Sequence, residues 1–292
     1  MEQNFGKFAY FGSSRLSVIV LDRLLEKNIK PNIIVTTVDK LVGRKQILTP
    51  NVVKVWANEH NIPVLDPEKL NDEFIDKFEQ ICKTENIEYF LVASYNKIIP
   101  KKLVEMPKFG ILNIHPSLLP KYRGPSPLGS AILADDKNTG DTIMKIDNEM
   151  DHGPIVAVKE VHIEEWMIYE DYEEMMAKIG ADLFTDNISD YLSGKIIPEE
   201  QDHTKASYTK KFEKEDGLIS LQDEQRKNWL KYLAFHSWPQ VYFILKNNEK
   251  EMRIKITEAK FENYKFIPLK VIPEGSKEMT FEAFKNGYKL DY

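Results

Sequence analysis

The chain is poor in the residues that would announce several common chemistries. Of its 292 residues, one is cysteine, Cys82. A single thiol excludes an internal disulfide and points to a reducing compartment, the cytoplasm. It sits in a helical, lysine-flanked stretch and reads as a packing residue rather than a reactive one. No run approaches the roughly 20 consecutive apolar residues that a membrane helix needs. Residues 1–7 lack the basic-then-apolar sequence of a secretory leader. The three-glycine signature of dinucleotide binding is missing, since only Gly12 follows the first strand-like run, and this rejects an NAD site. No His-x-x-x-His or Cys-x-x-Cys spacing occurs, so pairing His115 with His152 as metal ligands finds no support. The net charge of −6 is modest, but it is unevenly spread. Residues 1–204 hold 23 basic and 33 acidic side chains, and residues 205–292 hold 17 and 13. A basic module behind an acidic one suits a polyanionic partner docking on the smaller part.

What is present is a regular alternation. Residues 7–11 form a short apolar strand, Gly12-Ser13-Ser14 a turn, and residues 16–25 a helix. With a second strand at residues 32–37 this is a βαβ unit on a parallel sheet. Residues 39–49 read as a polar, basic loop containing Arg44 and Lys45, ahead of a helix at 51–60. A strand at 63–65, an amphipathic helix at 71–84 and a strand at 89–93 follow. The helix carries Phe74, Ile75, Phe78 and Ile81 on one stripe, a core face. Residues 128–134 read as a helix, 141–145 and 155–161 as strands, and 169–193 as a long helix with Met175 and Met176 in its apolar stripe. Residues 194–214 show no periodicity. Beyond them, a helix at 222–235, strands at 241–245, 253–259 and 266–271, and a helical turn at 281–286 suggest a small barrel. The expected fold is α/β, Rossmann-like, a mostly parallel sheet with helices on both faces, followed by a small C-terminal β-barrel domain. The expected boundaries are 1–200, a linker at 201–206, and 207–292.

The most informative stretch is residues 109–127. An apolar strand delivers Asn113 and His115, two residues apart and therefore on one face. Pro116 cannot donate to a ladder and should end the strand. Three further prolines, Pro120, Pro125 and Pro127, stiffen the following loop, and Gly124 supplies a permissive turn. A polar pair at the C-terminal end of a buried strand, followed by a rigid loop, is how open α/β sheets build active sites.

Asn113-Ile114-His115, Ser117-Leu118-Leu119-Pro120 and Tyr122-Arg123-Gly124 resemble the folate-dependent formyltransferases. So do Thr139-Gly140-Asp141-Thr142-Ile143-Met144 and Asp147-Asn148-Glu149-Met150-Asp151-His152-Gly153, which resemble that family's second motif, ending in a catalytic aspartate. The resemblance runs through nearly the whole chain. It implies catalysis by Asn113, His115 and Asp151. It also implies a site for 10-formyltetrahydrofolate, the co-substrate, formed by Leu91, Ala93, Tyr95, Ile98, Ser117, Leu118, Leu119, Pro120 and Gly124, with no metal. Within the family the branch acting on methionyl-initiator-tRNA fits best. The 39–49 loop then carries Arg44 and Lys45 to the tRNA, although Leu41-Val42 stands where a Pro-Ala type sequence is common. The C-terminal part becomes an OB-like tRNA-binding domain of a monomeric enzyme. Trp238-Pro239, Met279-Thr280-Phe281 and Gly287 match it loosely.

Formyl transfer is acyl transfer. An amine attacks a formyl carbon, an oxyanion forms, and the folate nitrogen leaves with a proton. This needs positioning, an oxyanion stabiliser and a proton carrier. An imidazole titrates near neutral pH and suits the last two roles. Asp151 would orient the ring, and the Asn113 amide would donate to the formyl oxygen. Two other readings remain: the same chemistry on an amino-sugar nucleotide, and a non-catalytic folate- or RNA-binding protein.

Overall fold

The structure is a computed structural model and describes residues 5–43, 46–247 and 250–288. In chain order its elements are β1 (Phe8–Phe11), α1 (Arg15–Glu26), β2 (Ile33–Val35), β3 (Lys40–Val42), β4 (Ile47–Thr49), α2 (Val52–Glu59), β5 (Val64–Leu65), α3 (Asp72–Glu85), β6 (Tyr89–Val92), α4 (Lys101–Val104) and β7 (Ile111–His115). Then come α5 (Pro127–Leu133), β8 (Asn138–Lys145), β9 (Ile155–His162), α6 (Tyr169–Leu192), α7 (Gln225–Ala234), β10 (Tyr242–Asn247), β11 (Lys250–Glu262), β12 (Lys265–Pro273), β13 (Met279–Thr280) and α8 (Phe281–Tyr288). The chain divides into two compact units. The first comprises Met1–Gly124, Thr139–His162 and Glu173–Tyr208, the second Pro125–Asn138, Ile163–Tyr172 and Thr209–Tyr292. Among the described residues, no helix is long and apolar enough to cross a membrane.

The first unit holds a seven-stranded sheet in the order β5-β2-β1-β6-β7-β8-β9. Strands β5 through β7 of that order run parallel, and β8 turns back antiparallel to β7. Alternation along β1 sends side chains to both faces. Ala9 and Phe11 join Phe78, Phe90, Leu103 and Ile111 in a core cluster under α3 and α4. Phe8 instead packs on Tyr89 and Phe184 of α6, while the Tyr10 hydroxyl donates to the carbonyl of Ser17 in α1. Helices therefore cover both faces, as the apolar runs predict. Ser14 caps α1 in a reciprocal capping box with Ser17, which fixes where the glycine turn becomes a helix. The turn is stitched to the end of β6: the Ser13 amide donates to the Ser94 carbonyl, and the Ser14 hydroxyl donates to that of Ser94. The strand order reverses around β1, so the carboxyl ends of β1, β6 and β7 border a crevice of the kind in which α/β proteins bind ligands.

One segment departs from its sequence prediction. Residues 39–49 contain a hairpin, β3 paired antiparallel with β4, rather than a plain loop. Three residues per strand are too few to show a period, so the pattern is silent there. Cys82 is buried in the core cluster, and burial, with Glu79 nearby, pushes its thiol up to about 12.

The second unit carries a four-stranded antiparallel sheet in the order β10-β11-β12-β13 among the described residues, where the sequence suggests a small barrel. It also holds α5, packed on α7. Asp135, just past α5, ties the pieces together. Its carboxylate accepts from Arg226 through Nε and Nη2 and from the Trp166 indole. The Arg226 guanidinium holds that carboxyl below the usual range.

In the first unit, Asp141 on β8 is fully buried, and both carboxyl oxygens lack a hydrogen bond among the described residues. Its Oδ1 faces Gly180 of α6. Burial pushes this carboxyl well above the ordinary aspartate range. The folded-state pKa thus exceeds the unfolded one, and stability is lost as pH rises above about 4. Asp141→Asn is neutral at every pH. Its melting temperature relative to wild type is expected to climb by a few degrees between about pH 5 and pH 8, read by thermal denaturation. A difference that stays flat or shrinks contradicts the buried, neutral carboxyl.

Candidate active site

Strand β7 ends at His115, immediately before Pro116. Its register places Asn113 between Val92 of β6 and Met144 of β8, and His115 opposite Thr142. Asn113 is 9% exposed. His115 is 4% exposed. Its Nε2 lies 3.0 Å from the Tyr122 carbonyl. A carbonyl only accepts, so Nε2 carries the hydrogen and donates it. Nδ1 then points at Asp151, with Oδ2 at 3.7 Å. That suits an ion pair once the ring is protonated, and about 1 Å of closure would make a hydrogen bond. The same Oδ2 accepts the Gly124 amide hydrogen at 2.7 Å. Asp151 itself holds a left-handed backbone, φ +49°.

The loop between β7 and α5 is braced from two sides. From within the sheet, Thr142 of β8 donates its hydroxyl to the Ser117 carbonyl at 2.7 Å and accepts from the Leu119 amide at 3.2 Å. Ser117 donates to the Lys121 carbonyl. From outside, residues 199–208 run alongside, with the Arg123 amide donating to the Ser207 carbonyl and the Tyr122 amide to the Ser207 hydroxyl. Tyr122 is left-handed too, φ +59°, a conformation that costs a bulky residue about 1–3 kcal/mol and persists only under such bracing. Gly124, at φ +107°, needs its missing side chain. In the second motif, a Cβ at Gly153 would collide with the Lys145 carbonyl, so the chain must be glycine there to close on β8.

The structure thus brings Asn113, His115 and Asp151 to one end of β7. Of the residues expected at a folate, Ser117, Leu118, Leu119, Pro120 and Gly124 lie on the braced loop beside them. Leu91 and Ala93 are fully buried at the end of the neighbouring strand, and the Ala93 backbone is already spent on Phe11 and Ser17. Tyr95 packs edge-on against Phe11, and its buried hydroxyl has no partner among the described residues. The Ile98 side chain is 92% exposed. Arg44 and Lys45 lie outside the described residues.

The Formyl transferase family profile matches residues 7–188. The chain belongs to that family. It is similar to the methionyl-tRNA formyltransferase of Caldicellulosiruptor saccharolyticus, 34% identical and covering 96% of each chain. It is also similar to that of Campylobacter jejuni subsp. doylei, 36% identical over 96% of this chain and 88% of the relative. Among solved structures, methionyl-tRNA formyltransferase from Clostridium thermocellum superposes with a TM-score of 0.59 at 16% identity, covering 94% of this chain and 99% of that one. The sugar 3N-formyl transferase WlaRD, solved with dTDP and 5-N-formyl-THF, gives a TM-score of 0.63 at 22% identity, covering 89% and 88%. At these identities the structural matches show the shared fold.

The two motifs also contact residues that spacing does not flag, Gln201, His203 and Tyr208. The His152 Nδ1 lies 2.7 Å from Asp147, and its ring stacks on His203 at 3.9 Å with planes 2° apart. Arg123, 1% exposed, donates to Gln201, His203 and Tyr208. His203 and Gln201 are 51 and 50 residues from His152 and Asp151, in a segment without periodicity. In the second unit, Tyr169, Lys211, Phe212 and Trp238 line a cavity of about 220 Å³.

Thr142→Val keeps the shape of the fully buried threonine but leaves one carbonyl and one amide of the loop unpaired. The expected loss is about 2–4 kcal/mol of unfolding free energy, measured by urea denaturation. A loss under about 0.5 kcal/mol contradicts the bracing role.

Proposed function

We propose that this formyl transferase moves the formyl group of 10-formyltetrahydrofolate to the α-amine of methionyl-initiator-tRNA, in the cytoplasm, at the start of translation. The observation that carries this is likeness along the whole chain: 34% identity over 96% of both lengths with a methionyl-tRNA formyltransferase. In this reading the part up to about residue 200 is catalytic, residues 201–206 join the two parts, and residues 207–292 hold the tRNA. The excess of basic residues in 205–292 supports the last assignment. So does the cavity to which that part contributes Lys211, Phe212 and Trp238, because aromatic faces and an ammonium suit a nucleobase and its phosphate. Arg44 and Lys45 are assigned to the tRNA on the family resemblance.

In the proposed mechanism, the braced loop and the end of β6 hold the folate, with its formyl carbon beside Asn113 and His115. The amine nitrogen attacks that carbon. The developing oxyanion is met by the Asn113 amide and the His115 imidazolium. The carbon–nitrogen bond to the folate then breaks. The amine gives up a proton and the folate nitrogen takes one; His115 passes it when its Nε2 exchanges the Tyr122 carbonyl for the substrate. Asp151 keeps the ring oriented and its charge balanced. No covalent enzyme intermediate is needed.

Replacing Asn113 or His115 with Ala, or Asp151 with Asn, is expected to lower kcat by about 10²–10³ or more, roughly 3–4 kcal/mol, with the fold intact by circular dichroism. Wild-type turnover in His115→Ala would contradict its catalytic role, and no formyl transfer by the wild-type protein to any amine would favour a non-catalytic binding protein.

The fold likeness to sugar formyltransferases keeps one competitor, an amino-sugar nucleotide acceptor. Side-by-side assays with 10-formyltetrahydrofolate and either methionyl-initiator-tRNA or an amino-sugar nucleotide decide between them. Formylation of the tRNA, with an apparent affinity that falls steeply as salt rises, is the expected result. Transfer to the sugar alone refutes the tRNA assignment.

A further inference from the structure

Gln201 carries an inference beyond the three proposed catalytic residues. It lies in the aperiodic segment after α6, yet it is 5% exposed. All the bonding capacity of its amide points at two places. Its Oε1 accepts from Arg123 Nε at 3.2 Å and Nη2 at 2.6 Å. Its Nε2 donates to the carbonyls of Asp151 at 2.9 Å and Gly153 at 2.7 Å. A guanidinium cannot accept and a carbonyl cannot donate, so the orientation of the amide is determined by chemistry. The residue it grips, Asp151, is in the left-handed region. On the far side, Arg123 neighbours Tyr122, whose carbonyl takes the His115 hydrogen. Gln201 thus spans the two groups that flank the imidazole, fastening the backbone under one to the side chain next to the other.

We infer that Gln201 is a positioning residue: it sets the backbone of Asp151 so that the carboxylate stays in register with His115 Nδ1. The inference rests on the proposed role of Asp151. Gln201→Glu separates orientation from packing. The shape stays, and the new carboxylate still accepts from Arg123. The two hydrogens offered to the Asp151 and Gly153 carbonyls are gone, and negative charge replaces them. Displacing a reacting group by a fraction of an ångström is enough to reduce turnover strongly.

The test is a cycle of four proteins: wild type, Gln201→Glu, Asp151→Asn and the double variant. Each is assayed for kcat and for KM of both substrates, with melting temperature alongside. Gln201→Glu is expected to lower kcat about 10- to 100-fold with each KM within about twofold. On the Asp151→Asn background the same change is expected to alter kcat by less than about twofold, because the carboxylate it positions is absent. Equal fold-losses on both backgrounds, or a raised KM with unchanged kcat, overturn the inference and leave a structural role. Turnover lost in Asp151→Asn but kept in Gln201→Glu overturns the inference alone. Wild-type turnover in Asp151→Asn overturns the proposed role of Asp151 and this inference with it. Should Gln201→Glu fail to fold, Gln201→Met, which keeps the volume without any bond, enters the same cycle with the same expected outcomes.

Discussion

The hydrogen bond from His115 Nε2 to the Tyr122 carbonyl is the contact on which the site depends. It sets the tautomer of the ring and leaves Nδ1 facing the Asp151 carboxylate. For that carbonyl to be in place, Tyr122 must adopt a backbone that its side chain disfavours. The bracing around it is correspondingly dense: Thr142 from β8, Ser207 from the segment after α6, and Gly124, whose amide reaches Asp151. A strained loop held by backbone hydrogen bonds is a rigid one. Rigidity is what acyl transfer asks of a site that works by placement and oxyanion stabilisation rather than by covalent attack.

The division of the chain into compact units has a physical reason in Asp135. With both oxygens taken by Arg226 and one shared with Trp166, it binds the end of α5 to α7 and to residues far along the chain. Charged, hydrogen-bonded pairs with a planar guanidinium are directional and hold geometry well. A piece that is central in sequence therefore packs on helix α7, far along the chain. In the first unit the analogous tie is Gln201, a neutral amide that reaches back to a buried guanidinium and a tight turn. Both ties are long-range, and neither involves an apolar periodicity.

That contrast explains what could be read from the residues alone. The turn after β1, the stripe of α3 and the halt of β7 at Pro116 were all legible, because capping, amphipathic spacing and proline act locally. Asn113 and His115 stood out for the same reason. Asp151 entered through resemblance to a family, since nothing in a spacing of 36 residues from His115 joins the two. The β3–β4 hairpin was invisible because three-residue strands carry no period. Gln201 was invisible because its meaning resides in partners 50 and 78 residues away. The buried carboxyl of Asp141, without a hydrogen bond among the described residues, could not be foreseen either: in sequence it belongs to a motif, and only its packing against Gly180 shows that it faces the core.

The central claim is that His115 and Asp151 work as one device. Groups that act as a unit lose their effect together, so removing the second after the first changes little. The most direct measurement is single-turnover formyl transfer by His115→Ala, Asp151→Asn and the double variant. The account predicts that the double variant is no slower than His115→Ala alone, within about threefold. Losses that multiply, so that the double variant falls by the product of the two single effects, would contradict it.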